Sequence, residues 1–302
     1  MKTEKKKSFW RYWMKLLIFS ILVFVLGILV GLPLVSAYGL TRSSHHAVCC
    51  QTPSDWGFLY EDVVLTADDG VRLYGWYIPS QNDTAVILLH GYGGDRFGSS
   101  AYARMLAAQG YGVLMYDQRA TGESEGKQLT YGWLDIADVN HAVRYVQNRP
   151  DVNPQKIGVM GCSMGAEIAI ASAAQNDSIQ AVIADAPFHT TFRDVSPPAN
   201  LEDVMNILMF PSFFKFMEWF TGSSAPMPLT EAVTQIAPRP LLIISAGTGF
   251  EQRQGDYIFS FAQEPKTVWN IPEATHCSGP TTRQQEYEER VLEFFDQALL
   301  KD

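Results

Sequence analysis

The most regular feature of the chain is an unbroken apolar run near its start. Leu16 to Val35, LLIFSILVFVLGILVGLPLV, is twenty residues without a charge. A helix rises 1.5 Å per residue, so this length crosses the ~30 Å hydrocarbon core of a bilayer. Residues 37–57 show little periodicity and read as a linker. From residue 58 the pattern is regular. VVLTADDGVRLYGWYI alternates on either side of Asp68-Asp69-Gly70, a hairpin signature. Six short apolar runs follow: TAVILLH, YGVLMYD, KIGVMG, AVIADAP, PLLIIS and KTVWNI. Such runs, bounded by turn residues, mark strands buried on both faces. Between them the period becomes helical: near 99–109, near 132–148 with Ile136, Val139, Ala142, Val143 and Val146 on one face, and from Met164 to Ala174. A closing helix is expected to start near Thr282, with Thr282 and Gln285 placed for a capping box and Tyr287, Val291, Phe295 and Leu299 forming an apolar stripe. Strands alternating with helices predict an α/β domain over 58–302: a mostly parallel twisted sheet, helices on both faces, preceded by an antiparallel hairpin.

The alternation is broken once. Residues 188–238 separate the fourth and fifth buried strands, too long a stretch for a bare loop. It contains MNILMFPSFFKFMEWF. We read it as a cap over a site, with an apolar lining; the plainer alternative is an extra helix packed on the body.

Charge sharpens the membrane reading. Residues 1–15 carry six basic side chains against Glu4, a balance of +5 within a chain of net charge −9, so the remainder carries −14. A basic segment before residues 16–36 and almost no charge just after them predict a single-pass signal anchor in the cell membrane, with residues 1–15 cytoplasmic and the domain outside. The alternative is a signal peptide cleaved near Ala37, where Val35-Ser36-Ala37 fits the small-residue rule, releasing the domain as a secreted protein. An acidic body repels phosphate backbones, which argues against nucleic acid as a partner. The four cysteines, Cys49, Cys50, Cys162 and Cys277, are not a disulfide scaffold. Adjacent Cα atoms lie about 3.8 Å apart, closer than a disulfide usually spans, so Cys49 and Cys50 are not expected to bond each other.

Gly161-Cys162-Ser163-Met164-Gly165 is a G-x-S-x-G between a predicted strand and a predicted helix. That context suits a nucleophile elbow, in which a sharp turn exposes Ser163 at the top of the sheet. His90-Gly91-Tyr92-Gly93-Gly94 ends the first buried strand. Its Tyr92 N–H, with that of Met164, is placed to form an oxyanion hole. No Gly-Lys-Ser/Thr follows, so nucleotide binding is a poor reading. Of six histidines, His276 alone follows the last strand and precedes the closing helix, the place for a general base. His90 reads as structural, His141 as a surface residue, and His189 as a candidate pocket residue. The carboxylate that orients His276 is expected in the loop after PLLIIS, SAGTGFEQRQGD, with Glu251 first and Asp256 second; Asp185, at the end of AVIAD, is the third candidate. A Cys162 nucleophile is disfavoured because Ser163 holds the elbow centre. His45-His46 and Cys49-Cys50 match no standard zinc spacing, so no metal site and no cofactor are assigned.

LLHGYGG, YDQRATGES, GVMGCSMG and IPEATHCSG, in that order, resemble the successive signatures of the α/β-hydrolase superfamily across residues 58–300. The chain is similar to bacterial membrane-anchored hydrolases of the dienelactone hydrolase and serine esterase group. Ala120 stands where that family's Asp-x-Arg-Gly-x-Gly-x-Ser loop has glycine, and its usual Asp after the seventh strand is replaced here by SAGTGFE, ending at Glu251. The resemblance implies esterase, thioesterase, lipase or peptidase chemistry, with Ser163 as nucleophile, His276 as base, and Tyr92 and Met164 as oxyanion donors. The expected partner is a small-molecule or lipid-like ester. The competing expectation is a catalytically inactive binding module on the same fold.

Overall fold

The computed structural model describes residues 2–301; Met1 and Asp302, the outermost residues of the 1–15 and 58–302 segments, lie outside it. Helix α1 (Lys2–Leu26) passes through a π-helical turn (Gly27–Gly31) into α2 (Leu32–Leu40). Within this helix, Phe9–Leu40 is long and apolar enough to cross a membrane, and most of its side chains are exposed. α2 does not end free. It packs against α6 (Leu201–Thr221), where Ala37 is wholly buried among Trp133, Phe213, Phe214 and Met217. The stretch expected as a linker is laid on the domain too. Ser44–His45 forms a short parallel pairing with Thr121–Gly122, and Thr41 O accepts from Leu129 N at 3.1 Å. Residues 37–57 lack periodicity because this stretch is held by scattered backbone hydrogen bonds, not by a repeating apolar face.

Eight strands form the main sheet: β1 (Glu61–Thr66), β2 (Arg72–Ile78), β3 (Ala85–Leu89), β4 (Gly112–Tyr116), β5 (Ile157–Cys162), β6 (Ala181–Asp185), β7 (Leu241–Ala246) and β8 (Lys266–Ile271). Their spatial order is β8-β7-β6-β5-β3-β4-β2-β1. β1 and β2 are the antiparallel hairpin; β3 to β8 run parallel. Alternate residues of each buried strand feed two cores. Ile87 and Leu89 meet α4 (Asp135–Gln147), α5 (Met164–Gln175), the short α7 (Leu229–Ala232) and α8 (Phe250–Phe261) on one face. Val86 and Leu88 meet α3 (Ser100–Ala108) and α10 (Gln284–Phe295) on the other. Burial on both faces is why these strands read as continuous apolar runs.

Three expectations change. The capping box at Thr282 does not form: Thr282 closes the one-turn α9 (Gly279–Thr282), and α10 follows Arg283 with no side-chain cap. The segment after β7 is not a loop, because it enters α8 within a few residues. Cys49 and Cys50 are bonded to each other. The distance argument against that bond assumed a trans peptide. The peptide between them is cis and the Cα atoms are 3.1 Å apart, which brings both side chains to one side.

Candidate active site

Central strand β5 delivers Ser163 to the carboxyl edge of the sheet, where open α/β sheets build their sites. β5 ends at Cys162 and α5 begins at Met164, leaving Ser163 alone in the turn at φ 56°, ψ −124°. A left-handed φ costs a non-glycine residue about 1–2 kcal/mol. Hydrogen bonds on both sides hold it: Ser163 N donates to Asp185 O at 2.8 Å, and Ser163 O accepts from Ala166 N at 2.8 Å. The turn also requires missing side chains. A Cβ on Gly165 would overlap the Leu89 carbonyl at the end of β3, and one on Gly161 would overlap the Gly165 backbone. Met164 is the first residue of α5, so its N–H has no intrahelical acceptor and lies at the positive end of the helix dipole.

The loop after β3 lies alongside. A Cβ on Gly91 would sit 3.5 Å from Ser163 Cβ. His90 supports this loop from beneath. Its Nδ1 donates to Gly91 O at 2.8 Å and its Nε2 accepts from Gln118 N at 3.0 Å, which requires a neutral ring. Burial pushes its pKa down to about 4. Tyr92 O–H donates to Leu40 O at 2.9 Å, and Ser44 Oγ donates to Gly93 O at 2.9 Å. The loop is thus stitched to the chain leaving α2.

His276 sits between β8 and α9. Its Nδ1 is 2.7 Å from Glu251 Oε2. A carboxylate only accepts, so Nδ1 carries a proton, and in the neutral ring the lone pair is then on Nε2. Glu251, in the first turn of α8, is itself fixed: its Oε1 accepts from Ala246 N at 2.8 Å. The imidazole side chain is 42% exposed and the carboxylate 13%, so the base is open while its partner is enclosed. The ring rests on Phe188 at 5.0 Å between centroids, and Phe188 stacks on Phe250 at 5.9 Å. The other two acid candidates make no hydrogen bond to His276 among the described residues. Asp256 is exposed on α8. Asp185 is buried, its Oδ2 accepting from Tyr287 O–H at 2.6 Å and Tyr102 O–H at 2.9 Å. Burial raises its pKa to about 6, against the pull of the two hydroxyls.

The Cys162–Cys277 pairing and Glu167 carried no assignment in the sequence, whereas His189 does line a cavity. Cys162 and Cys277 form a disulfide, Cα to Cα 6.1 Å, which joins the residue before Ser163 to the residue after His276. Their adjacency to the two candidates was the available signal, but pairing across 115 positions cannot be read from spacing. Glu167, one turn into α5, is buried with Oε1 accepting from Phe188 N at 3.1 Å and His189 N at 3.3 Å. Burial raises its pKa to about 8, against those two donors. A cavity of about 370 Å³ opens between α6 and α8, lined by His189, Asn206, Phe210, Phe250 and Arg253 among others. His189 packs on Phe210 of α6 at 4.8 Å between ring centroids, and burial holds it neutral, its pKa pushed down to about 4. His45 and His46 are spent on Gly126 O and Asp95 at 3.0 and 2.9 Å.

A family model described as serine aminopeptidase, S33, a hydrolase family, matches residues 80–233, just over half of the chain. The chain belongs to this α/β-hydrolase family. The YfhR protein of Escherichia coli O157:H7 is 30% identical over 258 residues, covering 82% of this hydrolase and 84% of its relative. Among solved structures, the Pyrococcus furiosus esterase Pf2001 is 29% identical with a TM-score of 0.69, over 86% of this chain and 98% of that one. A dienelactone hydrolase from Anabaena variabilis has a TM-score of 0.59 at 19% identity, over 80% and 99% of the two chains, a likeness of fold alone.

Proposed function

We propose that this hydrolase is a serine enzyme that cleaves an ester-type bond, carboxylester, thioester or amide, through an acyl-enzyme on Ser163. The observation that carries the reading is the partly enclosed carboxylate of Glu251, held by Ala246 N on one oxygen and pairing His276 with the other. This leaves Nε2 free to take the Ser163 proton as Oγ attacks the carbonyl carbon. The Glu251 carboxylate stabilises the imidazolium that forms. Negative charge on the carbonyl oxygen meets the N–H groups of Met164 and Tyr92. His276 returns its proton to the leaving group, then draws one from the water that releases the acyl group. Phe188, against the His276 ring, keeps water from one face of the base. We assign the 188–238 insertion as a cap whose Phe210 walls the cavity beside the site.

We further propose that residues 16–36 are a retained anchor, with the domain outside the cell membrane. Two features support this. Ala37 is wholly buried against α6, and cleavage beside it would strip a packed helix from that face. Two disulfides suit an oxidising compartment. The reading is tested with the full chain in detergent, labelled by a fluorophosphonate beside Ser163→Ala. Labelling confined to the wild type is expected. A folded wild-type chain that does not label would sink the serine chemistry and favour the binding-module alternative.

A further inference from the structure

We infer that the Cys162–Cys277 disulfide is a positioning element of the active site, and that its reduction by a dithiol lowers turnover reversibly. The inference rests on the serine-hydrolase reading above. Its ground is placement. The bridge joins the residue preceding the proposed nucleophile to the residue following the proposed base, with the two Cα atoms 6.1 Å apart. Most of the other ties of the His276 loop are local. Ala274 N donates to Ile271 O, Thr275 N to Ser278 Oγ, and Ser278 N to Thr275 O, all within or beside the loop. Glu273 pairs with Arg283, just behind it. Towards the sheet, Ala274 at the start of the loop packs in the core, while beside His276 the loop has the His276–Glu251 pair and the Phe188 contact, both made by the imidazole itself. A base that moves during a reaction is a poor anchor for its own loop. The disulfide fastens the loop without using the imidazole.

The local backbone agrees. Cys277 sits at φ 54° and Ser163 at φ 56°, both in the left-handed region. The bridge therefore ties together two kinked turns whose relative position sets the distance from Oγ to Nε2. Both cysteines are only partly buried, so a small dithiol can reach them. In the exchange, the dithiol supplies two electrons and two protons and becomes a disulfide. Cys162 and Cys277 each become a thiol. Near His276, the only ties across to the rest of the site among the described residues are then those of the imidazole itself, with the loop's local hydrogen bonds and the packing of Ala274 behind them. Misplacement of a catalytic group by about 1 Å costs on the order of 100-fold in rate.

The test uses the full chain in detergent, carrying Cys49→Ser and Cys50→Ser so that only one bridge responds. The chain is treated with dithiothreitol, and thiol alkylation confirms the reduction. Fluorophosphonate labelling of Ser163 is then timed across the neutral pH range. kcat and KM are measured on a short p-nitrophenyl ester. The expected result is labelling about 10- to 100-fold slower in a chain that is still folded by circular dichroism. kcat should fall with KM unchanged, and reoxidation should restore both rates. The Cys162→Ala, Cys277→Ala variant should be slow and indifferent to dithiol. A cross-link that only stabilises would lower the melting midpoint and leave the labelling rate unchanged below it, and that result overturns the inference. So does an unreduced chain in which both thiols already alkylate. An oxidised chain that never labels at Ser163 overturns the hydrolase reading and this inference together, whereas labelling indifferent to reduction overturns this inference alone.

Discussion

Glu251→Gln should damage the enzyme more than Glu251→Ala, although glutamine is the closer mimic. The reason lies in the two oxygens of Glu251. Oε1 accepts from Ala246 N and Oε2 accepts from His276 Nδ1. A glutamine has one oxygen and one NH₂ to place. Ala246 N only donates, so the amide oxygen must face it; the opposite orientation sets two donors together and leaves a buried N–H unpaired, at about 1–3 kcal/mol. The NH₂ therefore faces His276 Nδ1, which must become an acceptor. The ring proton moves to Nε2, and the base has no lone pair for Ser163. Reaction then proceeds only through the disfavoured orientation, a loss of about 5- to 150-fold from those energies. Losing the charge that stabilises the imidazolium adds to this, giving about 10²- to 10⁴-fold in all. Alanine removes the same charge but lets water take Nδ1–H, so the productive tautomer survives and the loss is nearer 10- to 100-fold. Fluorophosphonate labelling rates rank the variants without knowledge of the substrate. Asp256→Asn, on the exposed side of α8, should stay close to wild type. Glu251→Gln labelling as fast as Glu251→Ala would refute the reasoning, and a large loss in Asp256→Asn would transfer the acid role there.

Two further outcomes follow from the ground beneath the elbow. The pKa of Glu167 is raised from its ordinary 4.5 to about 8, so the folded chain holds a proton that the unfolded chain releases; its contribution to stability is complete below about pH 4.5 and is lost as pH rises through about 8. The full loss is on the order of 4–5 kcal/mol, less if the site relaxes. Glu167→Gln should flatten the fall in melting temperature between about pH 5 and about pH 9, and an unchanged fall would locate the titration elsewhere. Gly165→Ala should push the first turn of α5 away from the Leu89 carbonyl by about 1 Å, at about 1–3 kcal/mol of stability and about 100-fold in labelling. A folded Gly165→Ala chain labelling at the wild-type rate would show that the elbow is looser than its geometry implies.

The parts of the fold that bury a face on a regular period were legible in the sequence. β3 to β8 appear where the apolar runs lie, and α4 starts and ends within a few residues of its predicted bounds. Ser163 and His276 could be singled out because a G-x-S-x-G and a late loop histidine each have a place in strand order. α8 was not legible. Gly255 sits in its middle and looks like a breaker, but it lies where the helix approaches β7 so closely that a Cβ would be 3.2 Å from Ser245 Cβ. The partners of the site were hidden for a similar reason. Phe188 meets His276 and Cys162 meets Cys277 across long stretches of chain, and such contacts follow from the finished fold, not from any local period. The Cys49–Cys50 bond depends on one peptide isomer, which residue spacing does not encode.

The docking of α2 on α6 turns a tether into a bracket. Under the anchoring proposed above, the helix fixes the height and heading of the whole domain, because its last turns are part of the domain's own packing and Leu40 O is bonded to Tyr92 beside Ser163. A domain on a flexible leash samples a hemisphere of solution. Anchored as proposed, this one sweeps a thin layer of constant altitude as it diffuses in the plane. Its encounters then depend on how many substrate molecules lie per unit area at that height, and dilution of the bulk phase matters only through what it does to that layer.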